Sequence, residues 1–120
     1  MGVYRGVAQD GVVITSGRAK LEFLARNAPA TKTTSFTVAD TETHIVCSGT
    51  ATITVTLPSA SIWPGREIVI KTIAAFTVVS AATNVLPINS ATAGTAILAG
   101  TAGSWALLVS NGTNWVIMAS

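Results

Sequence analysis

The sequence predicts an all-β domain: a compact sandwich, barrel or prism-like antiparallel domain carrying an extended N-terminal arm. Three observations lead there. From Thr33 onward Thr, Val and Ile dominate, and β-branched side chains suit a pleated surface. Short runs of alternating character recur at close spacing, divided by Gly, Pro, Asn and Asp, which is the pattern of a sandwich or barrel. Hydrophobic residues make up 49% of the 120 positions and charged residues only 10%, against roughly 25% in ordinary soluble domains. That balance excludes intrinsic disorder, and the length suits a single modest core.

Residues 1–32 read as the arm and 33–120 as the β domain. The arm opens Gly-rich, passes through Gly11-Val-Val-Ile-Thr15, and continues to Arg26. Around Leu21 and Phe23 both a strand and a short helix fit the pattern, and ten residues do not arbitrate. Asn27-Ala-Pro29-Ala-Thr reads as a linker or turn. In the β domain, 35–39 alternates and 40–43 is a turn. Residues 44–48 form the next strand, and 50–57 alternates strictly, with Ile53, Val55 and Leu57 on one side and Thr52, Thr54 and Thr56 on the other. Pro58 ends that run, and 59–65 is a connection with room for one helical turn.

Residues 67–72 form a strand with Ile68 and Ile70 inward and Glu67 and Lys71 outward. Another covers 76–80. Within the low-complexity stretch 81–103, 85–88 and 96–98 are short strand candidates. Residues 104–110 and 113–118 pair as a hairpin about Asn111-Gly112, a preferred two-residue turn. No fixed-period repeat is present, which argues against a long solenoid.

Charge is unevenly spread. Residues 1–32 hold five basic and two acidic groups; 33–120 hold Arg66 and Lys71 against Asp40, Glu42 and Glu67, with none after Lys71. Edge strands usually carry charge or Pro as guards against sheet addition, and this half has almost none. The last two strands are apolar on both faces, and strands of that kind lie in the middle of something. The expected cover is other copies of the chain, an obligate homo-oligomer. Trp105, Leu107, Trp115 and Ile117 are the candidate interface residues.

Sparse charge does not make the clustered basic footprint that nucleic acid requires. No stretch reads as a transmembrane helix, and the first ten residues hold no signal-peptide core. Gly6 stands where a myristoylation pattern needs Ser or Thr. Neither nucleic acid nor membrane is therefore an expected partner. One cysteine and one histidine build neither a disulfide nor a Cys/His metal site, and no cofactor is expected. In a strand, His44 and Cys47 point to opposite faces and form no dyad. Asp40 and Glu42 read as turn residues, and Arg66 and Glu67 as a solvated strand start. Trp63, Trp105 and Trp115 read as core or interface elements before sugar-stacking surfaces. Nothing in these patterns argues for an enzyme.

One ordered series of segments does carry a resemblance. It runs Phe36-Thr-Val-Ala-Asp40, His44-Ile-Val-Cys47, Ala51-Thr-Ile-Thr-Val-Thr-Leu-Pro58, Pro64-Gly65-Arg66, Ile68-Val-Ile-Lys71, Phe76-Thr-Val-Val and finally Ala106-Leu-Leu-Val-Ser-Asn-Gly-Thr-Asn-Trp115-Val-Ile. Over some 80 residues it resembles a β-rich module of bacteriophage virion surface proteins, tail fibres among them. The chain departs from that module at 86–90 and 110–112, where acidic residues common in the family are absent.

The resemblance implies a non-enzymatic, usually trimeric structural or receptor-binding protein of the virion, assembled in the host cytoplasm. A free-standing copy behind a basic arm is similar to a capsid decoration (cement) protein, whose partner is the major capsid protein or another virion protein. The alternative is a short tail fibre or receptor-binding tip. Tyr4, Arg5, Arg18, Lys20 and Arg26 would form a clamp on that partner, or the arm would be a strand exchanged within the trimer. A small polysaccharide-processing enzyme is the competing class, and it would draw on Asp40, Glu42 and Glu67.

Overall fold

The computed structural model describes residues 27–120, which form ten strands and no helix in two mixed sheets. The first six strands alternate between the sheets. β1 (Ala30–Lys32), β3 (His44–Cys47) and β5 (Glu67–Thr72) lie side by side and parallel in one sheet. β2 (Phe36–Thr37), β4 (Ile53–Thr56) and β6 (Thr77–Ser80) do the same in the other. The later elements are β7 (Val85–Leu86), β8 (Ala96–Ala99), β9 (Trp105–Ser110) and β10 (Trp115–Ala119). β8 closes the smaller sheet antiparallel to β6. β9 runs antiparallel to β5 and to β10, and β7 joins the far side of β10 in parallel. The sheet orders are β1-β3-β5-β9-β10-β7 and β2-β4-β6-β8.

The expected all-β class is therefore present, but the expected antiparallel pairing is corrected. Five strand pairings are parallel and three antiparallel among the described residues. The reason is topological. After each early strand the chain crosses to the facing sheet and then returns, so its next neighbour in the same sheet runs the same way. A parallel pair needs a crossover of about a dozen residues, usually a helix; here a strand of the other sheet serves as the crossover.

The result is three stacked rungs, β1–β2, β3–β4 and β5–β6. Ile45 lies opposite Ile70 and Ile53 opposite Val78, in both cases 25 residues on. Ala30 lies opposite Ile45, 15 residues on, and Phe36 opposite Val55, 19 on. The turns between rungs differ in length, so the stack leaves no fixed period in the sequence.

Alternation puts one apolar row of each sheet between the two layers. Val55, Ile68, Ile70, Val78, Val85, Ala106 and Leu108 are completely buried there. The expected inward sets, Ile53, Val55 and Leu57 in one strand and Ile68 and Ile70 in another, lie in this core. Ladder bonds continue past the assigned strands: Ser48 N–H donates to Lys32 O, Ile73 N–H to Cys47 O and Ala81 N–H to Val55 O. Gly49 occupies the turn between β3 and β4, directly against the turn below it. A Cβ there would come within 2.9 Å of the Thr33 carbonyl oxygen.

Two boundaries differ from expectation. Residues 27–31 do not form only a linker, because Ala30–Lys32 is the edge strand of the larger sheet, in register with Ile45, Val46 and Cys47. The hairpin between β9 and β10 has a four-residue loop rather than a two-residue turn. Trp115 pairs with Ser110, and Asn111 N–H donates to Asn114 O across the loop. The Asn111 side-chain oxygen accepts from the N–H groups of Thr113 and Asn114, an Asx-type turn. Gly112 has φ +93, a conformation that favours glycine.

Candidate functional site

The two faces of the larger sheet have different fates. One packs on the smaller sheet. The other carries a row of apolar side chains that the described residues leave open. β9 contributes Trp105, Leu107 and Val109 to this outer face, while Ala106, Leu108 and Ser110 point into the core. On β10, Val116 and Met118 are outward and Trp115 and Ile117 inward. Register brings the outward residues together: Leu86 lies beside Val116, Val116 beside Val109, and Leu107 beside Val69. The large apolar side chains most exposed to solvent are Ile62, Trp63, Ile73, Ile88, Trp105 and Met118. Trp105 and Met118 lie on this face; Ile73 follows directly on β5, and Ile88 lies two residues beyond β7. Charge enters the face on β5, where Glu67 lies opposite Val109 and Lys71 opposite Trp105.

The four candidate interface residues therefore divide. Trp105 is 45% exposed and Leu107 half-buried on the outer face. Trp115, 1% exposed, and Ile117 belong to the chain's own core. Grouping them as one surface is corrected by register: Trp115 pairs with inward-facing Ser110, so its indole turns inward too. Sequence reasoning did not include Leu86, because a two-residue strand in a low-complexity stretch offers no alternation to read.

The motifs that carry the resemblance meet in space at one corner. The Trp115 indole N–H donates to Pro58 O at 2.8 Å, and Gly65 N–H to Ser110 O at 2.8 Å. The Ser110 hydroxyl donates to Ala60 O at 2.6 Å, and Gly112 sits against the Pro64 ring. These bonds hold the 59–65 connection, which contains turns and no helix, on the end of the β9–β10 hairpin. The Thr-Leu-Pro, Pro-Gly-Arg and Asn-Gly-Thr-Asn-Trp segments thus act as architecture.

Arg66 is not the solvated strand start expected of it. It is 7% exposed, and its Nη2 donates to Ala39 O at 2.8 Å and Glu42 O at 3.0 Å, with Asp40 O at 3.5 Å. Trp63 covers the guanidinium, its ring centroid 5.5 Å away. Glu42 completes the turn. One carboxylate oxygen accepts from Ala39 N–H and the other pairs with Lys32 at 2.7 Å. The Ala39 bond and then Lys32 hold the Glu42 carboxyl below its ordinary range, against the opposing effect of burial. The turn reading of 40–43 stands, with Glu42 rather than Asp40 making the side-chain bond to the backbone.

Cys47 is fully buried on the inner face, while His44 is half-buried on the outer one. Burial pushes the Cys47 thiol up to about 11, so it is a poor nucleophile. An open depression of about 410 Å³ lies at the end of the sandwich, lined by Ile97, Leu98, Thr101, Ser104, Trp105 and Ser120 among others. Among the described residues, no three His, Cys, Asp or Glu side chains gather as a metal site would require, and no helix is long and apolar enough to cross a membrane. The candidate clamp residues Tyr4, Arg5, Arg18, Lys20 and Arg26 lie outside the described residues, as does the alternative strand or helix around Leu21 and Phe23. Comparison of the chain with protein-family models, curated proteins and solved structures finds no match.

Proposed function

We propose that the protein is a non-enzymatic structural component of a bacteriophage virion. In this reading it is a capsid decoration protein that sits as a homotrimer on the outer shell and straps coat subunits together. The observation that carries the reading is the outer face of the larger sheet. An exposed apolar face with little charge suits a subunit that works within a symmetric assembly. The ordered motif series supplies the virion context by resemblance. The basic residues Arg5, Arg18, Lys20 and Arg26, with Tyr4, are the proposed contact with the coat protein.

The competing glycan-processing reading needs a carboxylate pair flanking a bond. Glu42 has both oxygens engaged by Ala39 and Lys32, which favours a structural role for that turn. A tail-fibre or receptor-binding tip is the second reading. The depression beside the half-exposed Trp105 favours it, since an indole face among hydroxyls suits a neutral sugar ring.

Immunogold labelling of intact particles, or a low-resolution reconstruction, separates the two. Label distributed over the shell in lattice-related clusters is the expected result. Label confined to the tail replaces the decoration reading with the fibre reading. No label on any particle overturns both.

A further inference from the structure

We propose that the half of the outer sheet face over β7, β9 and β10 is covered by the same face of a second copy of this chain. The inference rests on the self-assembly part of the reading above, not on its threefold symmetry or its virion location. The patch consists of Leu86, Trp105, Leu107, Val109, Val116 and Met118, brought together by the pairings of β9 with β10 and of β10 with β7. Trp105 is 45% and Met118 59% exposed, a cost in water that nothing within the described residues offsets.

Three features point to a copy of the chain as the occupant. The first is charge. No charged residue follows Lys71 in the sequence, so this half of the face carries none. Glu67 and Lys71 enter only on β5, at its border. A contact centred over β9 and β10 leaves both charged heads at the rim in water, with the Lys71 stem against Trp105, the arrangement long cationic side chains favour. A contact centred over β5 would bury them at a desolvation cost. One cation and one anion at the rim also give no net attraction to an anionic lipid surface.

The second feature is area. Strands of this length, at about 3.3 Å per residue and 4.8 Å apart, present a projected patch of roughly 200 Å². With side-chain relief, the half-exposed Trp105 and Met118 and the marginal Val69 and Ile73, the accessible surface is about 500 Å² per copy. Two such faces bury about 1,000 Å², the least that a specific protein–protein interface takes.

The third feature is shape. A twisted sheet packs best on a sheet of matching twist, at about 10 Å and an aligned angle near −30°. The same face of another copy has that twist by construction. A face packed on the same face of another copy is an isologous contact about a twofold axis, so it joins copies in pairs.

The test is light scattering with size-exclusion chromatography on the full chain, with native mass spectrometry as a second readout. The wild-type chain is expected as a stable assembly at micromolar concentration. Met118→Glu and Trp105→Glu place a charge in the patch at sites already open to solvent. Each is expected to weaken the assembly about 100-fold or more, since a buried unpaired carboxylate is costly. Ile62→Glu, at a position 80% exposed on the 59–65 loop, is expected to leave it intact. Unchanged far-UV circular dichroism in the variants shows that they fold.

A monomeric wild-type chain overturns the proposal, and so does an assembly that neither patch variant loosens. A self-associating chain that labels no particle removes the virion reading and leaves this one. A monomer that still labels capsids does the reverse.

Discussion

Arg66 offers the sharpest test of how the rungs are held together. Replacing it with Met keeps most of the volume and removes the guanidinium. The two short bonds from Nη2, to Ala39 O and Glu42 O, are lost; one nitrogen has two N–H groups, so the 3.5 Å contact to Asp40 O adds little. Hydrogen bonds to a charged group contribute about 1.5–3 kcal/mol each, and the contact with the Trp63 ring about 0.5–1 kcal/mol. Against this stands the desolvation that a buried cation no longer has to bear. The net loss expected is about 2–4 kcal/mol.

Urea unfolding followed by tryptophan fluorescence, at fixed protein concentration, measures it. With a slope of about 1–2 kcal/mol per molar for a domain of this size, the midpoint falls by about 2 M. Arg66→Lys recovers less than half of the loss, because a single ammonium does not reproduce the planar fork. A midpoint within about 0.3 M of wild type for Arg66→Met would refute the reasoning. It would mean that water replaces the guanidinium at the 39–42 turn without cost.

Three further outcomes are expected. Gly49→Ala sets a methyl against the Thr33 carbonyl oxygen and destabilises the fold by about 1–3 kcal/mol, measured as a lower midpoint in the same assay. Glu42 has a lowered folded-state pKa, so its contribution is present above the unfolded value of about 4.3 and is lost as pH falls through the folded one. Below pH 4 the wild-type chain therefore loses stability more steeply than Glu42→Gln, as acid titrations of the two midpoints will show. Cys47, buried and with its thiol raised to about 11, reacts with a chromogenic disulfide at pH 8 only as fast as the protein opens. Rapid stoichiometric labelling in native buffer would contradict its placement in the core.

Most strand positions were legible because period-2 alternation is a local signal. The row Ile53, Val55 and Leu57 against Thr52, Thr54 and Thr56 identifies both the strand and its buried side without reference to any other part of the chain. The uncovered face was half legible for the same reason. Two adjacent strands apolar on both sides leave one apolar row pointing away from the core. The alternation did not say which of the two tryptophans turned outward, because both faces of these strands are apolar and either one could have been the core side. The loop has four residues where Asn-Gly suggested two, a change that keeps the phase, and it is packing against the smaller sheet that sends Trp115, paired with Ser110, to the core.

By itself the sequence determined an all-β chain, the approximate span of most strands, the inward rows and the lack of charge beyond Lys71. Each follows from residue type and spacing within a few positions. Only the tertiary structure decided the direction of pairing, the stacking of three unequal rungs, and the burial of Arg66 and Trp115 at the corner where the Pro58, Pro64 and Gly112 segments meet. The stacking and the two burials depend on contacts between residues 15 to 57 positions apart. Their geometry is set by how turns carry the chain between sheets, and local alternation carries no record of that.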